Sequence, residues 1–231
     1  MKITYYGHSC FSIEVGGKHL LFDPFITPNG LAKSIDVNSV PVDYIFISHA
    51  HFDHINDALS IAKRTGAMVV SSWEINTWLG NNGVKNTQPL NPGGKTTFDF
   101  GEVRSVAAVH SSSFSDGSYG GVAAGFVVKT REGNFYYSGD TALTLDMQLI
   151  PKWATIDFAI LPVGDHLTMG VEDATIAAGW LGIKHIVGVH YDTFDLIKLD
   201  RPWATDICKR EGITLHLFEI GSVTDLAAIL K

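Results

Sequence analysis

Cysteine is almost missing from the 231-residue chain: Cys10 and Cys208 are the only two, and they stand far apart. That excludes a disulfide framework and any C-x-x-C zinc or redox motif, and leaves two buried thiols as the expectation. Basic residues are also few. Seventeen Lys and Arg against 24 Asp and Glu leave a formal charge of -7, which argues against a broad nucleic-acid footprint, although a metal site can still draw anions locally. No apolar run approaches the roughly 18 residues that a membrane helix needs, and residues 1–15 alternate polar with apolar instead of forming a signal-peptide core. The reading is a soluble, cytoplasmic protein with no membrane partner. Walker-type phosphate loops, G-x-S-x-G elbows, short-period repeats and low-complexity linkers are absent too. What the chain has in quantity is apolar residues, 45% against 18% charged, enough for a sizeable core in one domain spanning residues 1–231.

Residues 3–6, 11–15 and 19–22 read as short strands, the last two joined at Gly16-Gly17. Residues 43–48 are an apolar run too short for a helix and fit a buried strand. Helices are expected at 57–64 and 73–79, with an extended stretch at 68–71 between them. The second half repeats the alternation: strands at 96–100, 103–109, 122–130, 135–137, 156–162, 185–189 and 214–218, and helices at 145–150, 172–181 and 202–210. Strands with intervening helices in both halves suggest two packed sheets whose outer faces are covered by helices, an α+β arrangement.

The strongest chemical signal is Ser48-His49-Ala50-His51-Phe52-Asp53-His54, directly after the buried strand at 43–48. Four ligand-type side chains fall within six positions, where a loop leaving a strand turns them toward one point. Imidazole with carboxylate suits zinc, iron or manganese. Three further residues, His110, Asp140 and His190, each stand where an apolar strand gives way to a polar loop, the usual place for a functional group on a rigid scaffold.

His-x-His-x-Asp-His followed by isolated His, Asp and His resembles the metallo-β-lactamase superfamily. The segments Gly7-His8-Ser9-Cys10-Phe11, Asp23-Pro24-Phe25-Ile26-Thr27, Tyr137-Ser138-Gly139-Asp140-Thr141, Leu161-Pro162-Val163-Gly164-Asp165 with Thr168-Met169-Gly170, and His190-Tyr191-Asp192-Thr193-Phe194 are similar to a sparsely characterised metal-dependent hydrolase family near the ascorbate-6-phosphate lactonases. The resemblance runs from Gly7 to about Phe194. It implies a four-layer αββα sandwich with two divalent metal ions at one edge, zinc first and Mn, Fe or Ni as alternatives. It places His49, His51 and His110 on the first metal and Asp53, His54 and His190 on the second, with Asp140 bridging. Two such cations, roughly 3.5–4 Å apart, share a water and bring its pKa toward about 7, which makes a bridging hydroxide the nucleophile. The expected activity is cleavage of a small ester, lactone or phosphodiester.

Beyond the ligands, His8 is a candidate substrate contact or proton donor, His166 a candidate acid or substrate contact, Asp165 a support for it, and Asp53 a ligand that also orients the water. His19, His185 and His216 lie within strands and read as structural. The aromatic residues Tyr5, Tyr6, Phe25, Tyr119 and Tyr191 line either a pocket or the core. Residues 24–41 read either as a flap over the site or as a loose surface loop. Competing readings are a metal-dependent nuclease, a di-iron redox protein on the same fold, and a non-catalytic metal-binding protein. The -7 charge disfavours long polyanions, and His51 stands where di-iron relatives commonly carry Glu. The substrate expected is a small molecule, and oligomeric state is not legible.

Overall fold

A computed structural model describes residues 1–230. The first sheet begins with β1 (Lys2–Gly7), β2 (Cys10–Val15), β3 (Lys18–Phe22), β4 (Tyr44–Phe46), β5 (Met68–Ser71) and β6 (Thr87–Pro89), with helices α1 (Phe52–Ile55), α2 (Ala58–Thr65) and α3 (Trp73–Asn81) among them. The second comprises β7 (Lys95–Phe98), β8 (Gly101–Ala107), β9 (Ala124–Thr130), β10 (Asn134–Tyr137), β11 (Phe158–Pro162), β12 (His185–Val189) and β13 (Thr214–His216), with α4 (Val171–Leu181) and α5 (Arg201–Arg210). A last strand, β14 (Val223–Asp225), returns to pair with β1 before α6 (Leu226–Ile229). No helix among the described residues is long and apolar enough to cross a membrane.

Local chemistry accounts for several of these boundaries. Gly16 and Gly17, both at positive φ, make the tight turn between β2 and β3, as a two-residue hairpin requires. Ser72 caps α3 by accepting from the Ile75 amide, and Asp200 caps α5 by accepting from Trp203. Gly66 and Gly182 end α2 and α4 in the left-handed conformation.

Each sheet has seven strands, in the orders β14-β1-β2-β3-β4-β5-β6 and β13-β12-β11-β10-β9-β8-β7. Three antiparallel pairings are followed by three parallel ones in both: β3 through β6 run parallel in the first sheet, β10 through β13 in the second. Side chains alternate accordingly. Phe11, Phe22 and Phe46 face inward and meet Phe126, Phe135 and Tyr137 of the opposite sheet. Cys10, Leu21, Ile45, Ile47 and Val69 face outward and pack with Ala58, Ile61, Ile75 and Leu79 of α2 and α3. On the far side Ala174, Ala177 and Ala178 of α4 and Ala204 and Cys208 of α5 close the second sheet. The expected αββα sandwich is thus formed. Each large inward aromatic, fully buried, contributes about 1.5–3 kcal/mol.

Some boundaries differ from the sequence reading. The strand expected at 103–109 ends at Ala107, freeing Val109 and His110 for the loop. The stretch expected as a helix at 145–150 is a 3-10 helix, Leu145–Lys152, with Pro151 inside it, since proline removes an α-helical donor. The short strands β6 and β14, Thr-Gln-Pro and Val-Thr-Asp, carry no apolar alternation to reveal them. The segment 24–41 is anchored: Phe25, Ile26, Asn29, Ala32 and Val40 are buried, and Asp57 accepts from the Ile26 and Thr27 amides at 2.6 and 2.8 Å.

Candidate metal centre

Parallel strands put their carboxyl ends at one edge, and it is there that polar side chains converge. Leaving β4, the chain bends at Ser48 and passes through His49 to His51, which is extended and holds the N-cap position of α1, the short helix that carries Asp53 and His54. His110 follows β8, Asp140 follows β10 and His190 follows β12. Donor atoms of His49, His51 and His110 lie within 4.8 Å of one another, and so do those of His8, Asp53, His54 and His190. Asp140 stands between the groups. Its Oδ2 is 2.9 Å from His190 Nε2, 3.2 Å from His54 Nε2, 3.7 Å from His110 Nε2 and 3.9 Å from His49 Nε2. All seven residues singled out as ligands in the sequence are therefore brought together at this edge, in two groups on either side of Asp140.

Beneath them lies Asp23, a fully buried carboxylate that the sequence reading did not treat as a site residue. It accepts from the Ser48 amide at 2.7 Å, the Ser48 hydroxyl at 2.6 Å, His54 Nδ1 at 2.7 Å and the Tyr137 hydroxyl at 2.5 Å. Because Ser48 donates to Asp23, its oxygen accepts from His49 Nδ1 at 2.9 Å. Both imidazoles are thereby fixed with Nδ1 protonated and Nε2 turned toward Asp140, the arrangement that outer hydrogen bonds impose on metal-binding histidines. Asp23 stands directly after the buried Leu20-Leu21-Phe22, the same strand-end signal that marks Asp140.

The donor set fits a cation. His54 Nε2 and Asp140 Oδ1 are buried without hydrogen-bond partners, an arrangement that buried polar groups rarely tolerate. Burial opposes charge on His54, but Asp140, Asp23 and Asp53 outweigh it and hold its pKa well above the ordinary value. Burial likewise opposes ionisation of Asp140, yet His190 and His54 hold its carboxyl well below the usual range. Burial, with His54 next to it, keeps His49 neutral. The backbone is strained here as well: His8, Asp23 and His190 adopt φ of 55°, 39° and 57°, at a cost of about 1–3 kcal/mol each that persists where surrounding contacts enforce it.

A family model described as the beta-lactamase superfamily domain matches residues 2–190. The chain belongs to that superfamily. A UPF0173 metal-dependent hydrolase of Methylacidiphilum infernorum is 50% identical over 95% of this chain and 97% of its own length. One from Flavobacterium johnsoniae is 48% identical over 98% and 100%. Among solved structures, a metallo hydrolase from the hyperthermophilic archaeon Ignicoccus hospitalis superimposes with a TM-score of 0.86 at 34% identity, covering 96% of this chain and 97% of that one. The protein is a metal-dependent hydrolase of the beta-lactamase superfamily, with His and Asp clusters able to bind metal.

In this hydrolase His8 is buried. Its Nε2 lies 3.0 Å from Asp53 Oδ2 and its Nδ1 3.0 Å from Thr193 Oγ1, with Phe25 and Phe194 edge-on to its ring. Burial, and then His190, lower its pKa to about 4. His166 and Asp165 are exposed on the turn after β11 and do not join the buried cluster. Ser111 Oγ reaches His51 Nε2 at 3.4 Å, while Ser112 Oγ accepts from the Ala50 amide. Tyr5, Tyr6, Phe25 and Tyr191 are buried, and Tyr119 is exposed. His185 and His216 pair at 3.2 Å on neighbouring strands β12 and β13. Two glycines are obligatory for the close packing: a Cβ on Gly164 would run into the His190 carbonyl oxygen, and one on Gly139, at φ 60°, would meet Ser48 Cβ at 2.7 Å.

Proposed function

We propose that the chain is a dinuclear hydrolase cleaving a small ester, lactone or phosphodiester, with His49, His51 and His110 holding one divalent cation, Asp53, His54 and His190 the other, and Asp140 shared. The observation that carries this is the position of Asp140 Oδ2 between the imidazoles of both groups. When bound, the cations supply Lewis acidity and bring a shared water's pKa toward about 7, so that hydroxide is present at neutral pH. Imidazole-rich donors with carboxylates favour zinc, with Mn, Fe or Ni as alternatives.

The chain's own residues do the rest. Asp23 and Ser48 set the tautomers of His54 and His49. His8, clamped by Thr193, acts on Asp53 as a positioning residue, holding Oδ2, the carboxylate oxygen that also lies 3.8 and 3.9 Å from His54 and His190 Nε2. Asp53 orients the attacking water in addition to serving as a ligand. His166, exposed at the rim with Asp165 beside it, is assigned to substrate contact or proton delivery to the leaving group. Two unpaired, buried thiols fit a reducing cytoplasmic setting.

The test is elemental analysis of the purified protein with a hydrolysis panel of lactones, esters, thioesters and phosphodiesters. Close to two metals per chain and turnover abolished by chelation and by His51→Ala or Asp140→Ala are expected. Turnover that survives in the metal-stripped variants refutes the proposal.

A further inference from the structure

We infer that this centre takes a neutral substrate bearing an apolar chain, gripped by large apolar side chains that the site loops hold out to solvent. The inference rests on the hydrolytic reading above and narrows its substrate class.

Of the loops that leave strand ends at the metal edge, six expose at least one such side chain: Leu31 after β3, Phe52 after β4, Val109 after β8, Leu145 after β10, Leu167 after β11 and Leu196 after β12. Their exposures run from 43% for Phe52 to 70% for Leu145, so none is a core residue showing only its edge. Phe52 sits between His51 and Asp53, and Val109 directly precedes His110. Leu196 lies two residues beyond Phe194, whose ring is 5.4 Å from that of His8. Large apolar side chains exposed on loop after loop at the edge that carries the ligands, two of them next to a ligand in sequence, point to a binding function there.

Charge decides what the function is. Residues 47–57, 108–123, 138–151 and 163–170 contain no Lys or Arg. On the loop after β12, Lys198 pairs with Asp195 at 2.7 Å, and Arg201 pairs with Asp192 at 3.1 Å and Glu219 at 3.5 Å. Lys33 and, at the far end of the 3-10 helix after β10, Lys152 have no carboxylate partner among the described residues. Asp116, Asp146 and Asp165 add negative charge to the same edge. Divalent cations at the centre would draw a single scissile phosphate, but further negative charge on the substrate, or an anionic bilayer surface, would meet repulsion with little at the rim to answer it. A neutral acyl chain, its carbonyl at the histidines and its methylenes along Phe52, Leu167 and Leu196, meets none. The one-per-loop spacing around a reactive centre also differs from the continuous stripe that an amphipathic membrane helix presents.

The experiment uses the metal-loaded protein with p-nitrophenyl esters from acetate to octanoate, below their micellar concentrations, beside bis-p-nitrophenyl phosphate. A fully buried methylene is worth about fourfold in binding, and on a half-exposed rim roughly twofold per methylene is expected in kcat/KM. Leu167→Ser with Leu196→Ser should flatten that rise by about fivefold at octanoate. Ile176→Ser, on the exposed face of α4, should leave the series unchanged. A flat or falling ester series beside metal-dependent phosphodiester cleavage overturns the inference and leaves the hydrolase reading standing. No metal-dependent turnover on any substrate overturns both. Co-sedimentation with phosphatidylcholine vesicles, or a stable dimer that the two Leu→Ser changes dissociate, would show the apolar ring to be a membrane or self-association surface and also overturns it.

Discussion

Replacing Asp23 with Asn changes one buried atom pair and tests the support beneath the centre. The carboxylate accepts four hydrogen bonds, one on Oδ1 from the Ser48 amide and three on Oδ2 from Ser48, His54 and Tyr137. An amide has a single accepting oxygen. With that oxygen in the Oδ2 position the new NH2 faces the Ser48 N–H; turned over, it faces three donors. Either way one buried donor confronts another, at about 1–3 kcal/mol, and the surviving bonds lose charge assistance worth about 1 kcal/mol each. The total, about 4–6 kcal/mol with the oxygen at Oδ2, overlaps the roughly 3–5 kcal/mol seen on breaking a buried ion pair. His54 also loses the anion that fixes its tautomer, for which about 10–100-fold in metal affinity is expected. Urea unfolding gives the first quantity, and chelator competition the second. Tyr137→Phe, which removes one of the four bonds, should cost about 1.5–3 kcal/mol and leave metal affinity unchanged, so a variant too unstable to purify does not end the test. Wild-type stability within about 0.5 kcal/mol and unchanged metal affinity in Asp23→Asn would refute the role given to this carboxylate.

In chelator-treated protein, His8 has a folded-state pKa near 4 against about 6.5 unfolded. The unfolded chain therefore binds the extra proton, and stability should fall by up to about 3 kcal/mol as pH drops from 6.5 to 4. His49, His51 and His110, also lowered, act in the same sense, and His54, raised, in the opposite one. Urea midpoints from pH 7 to 4.5 check the slope, and His8→Gln should reduce it. Gly164→Ala should destabilise by about 1–3 kcal/mol and reduce bound metal, because the added methyl displaces His190; metal content after dialysis decides the matter. Burial raises the thiol pKa of Cys10 strongly and that of Cys208 to about 11, so neither should react with a thiol reagent at pH 7.5 until the chain is unfolded in urea.

What was legible in the sequence is what local pattern encodes. The alternation in Phe11–Val15 and the buried run at 43–48 are visible because one face or both faces of a strand are apolar. The convergence of His49, His51, Asp53, His54, His110, Asp140 and His190 was legible because the first four crowd into six positions after β4 and each of the others stands just past a strand. Asp23 shares that position, but its role depends on Tyr137, 114 residues away, and no local pattern reports such a partner. His8 illustrates the same limit: the Gly-His-Ser turn marks it as a candidate substrate contact or proton donor, while only the fold shows Phe25, Thr193 and Phe194 closing around it. Edge strands escaped for a different reason, since Thr87–Pro89 and Val223–Asp225 are short and polar, as unpaired margins usually are.

The seven ligand-type side chains are divided between the layers, four following β4 and three following strands of the other sheet. A cation held by both sets would work as a clasp across the sandwich, adding to the packing and to the few hydrogen bonds, such as Tyr137 to Asp23 and His190 to His8, that join the two halves of the chain at that margin. Loading and removal of metal should thus be felt as a tightening or loosening along the whole rim, and neither half of the gene product, made separately, would own a complete catalytic pocket.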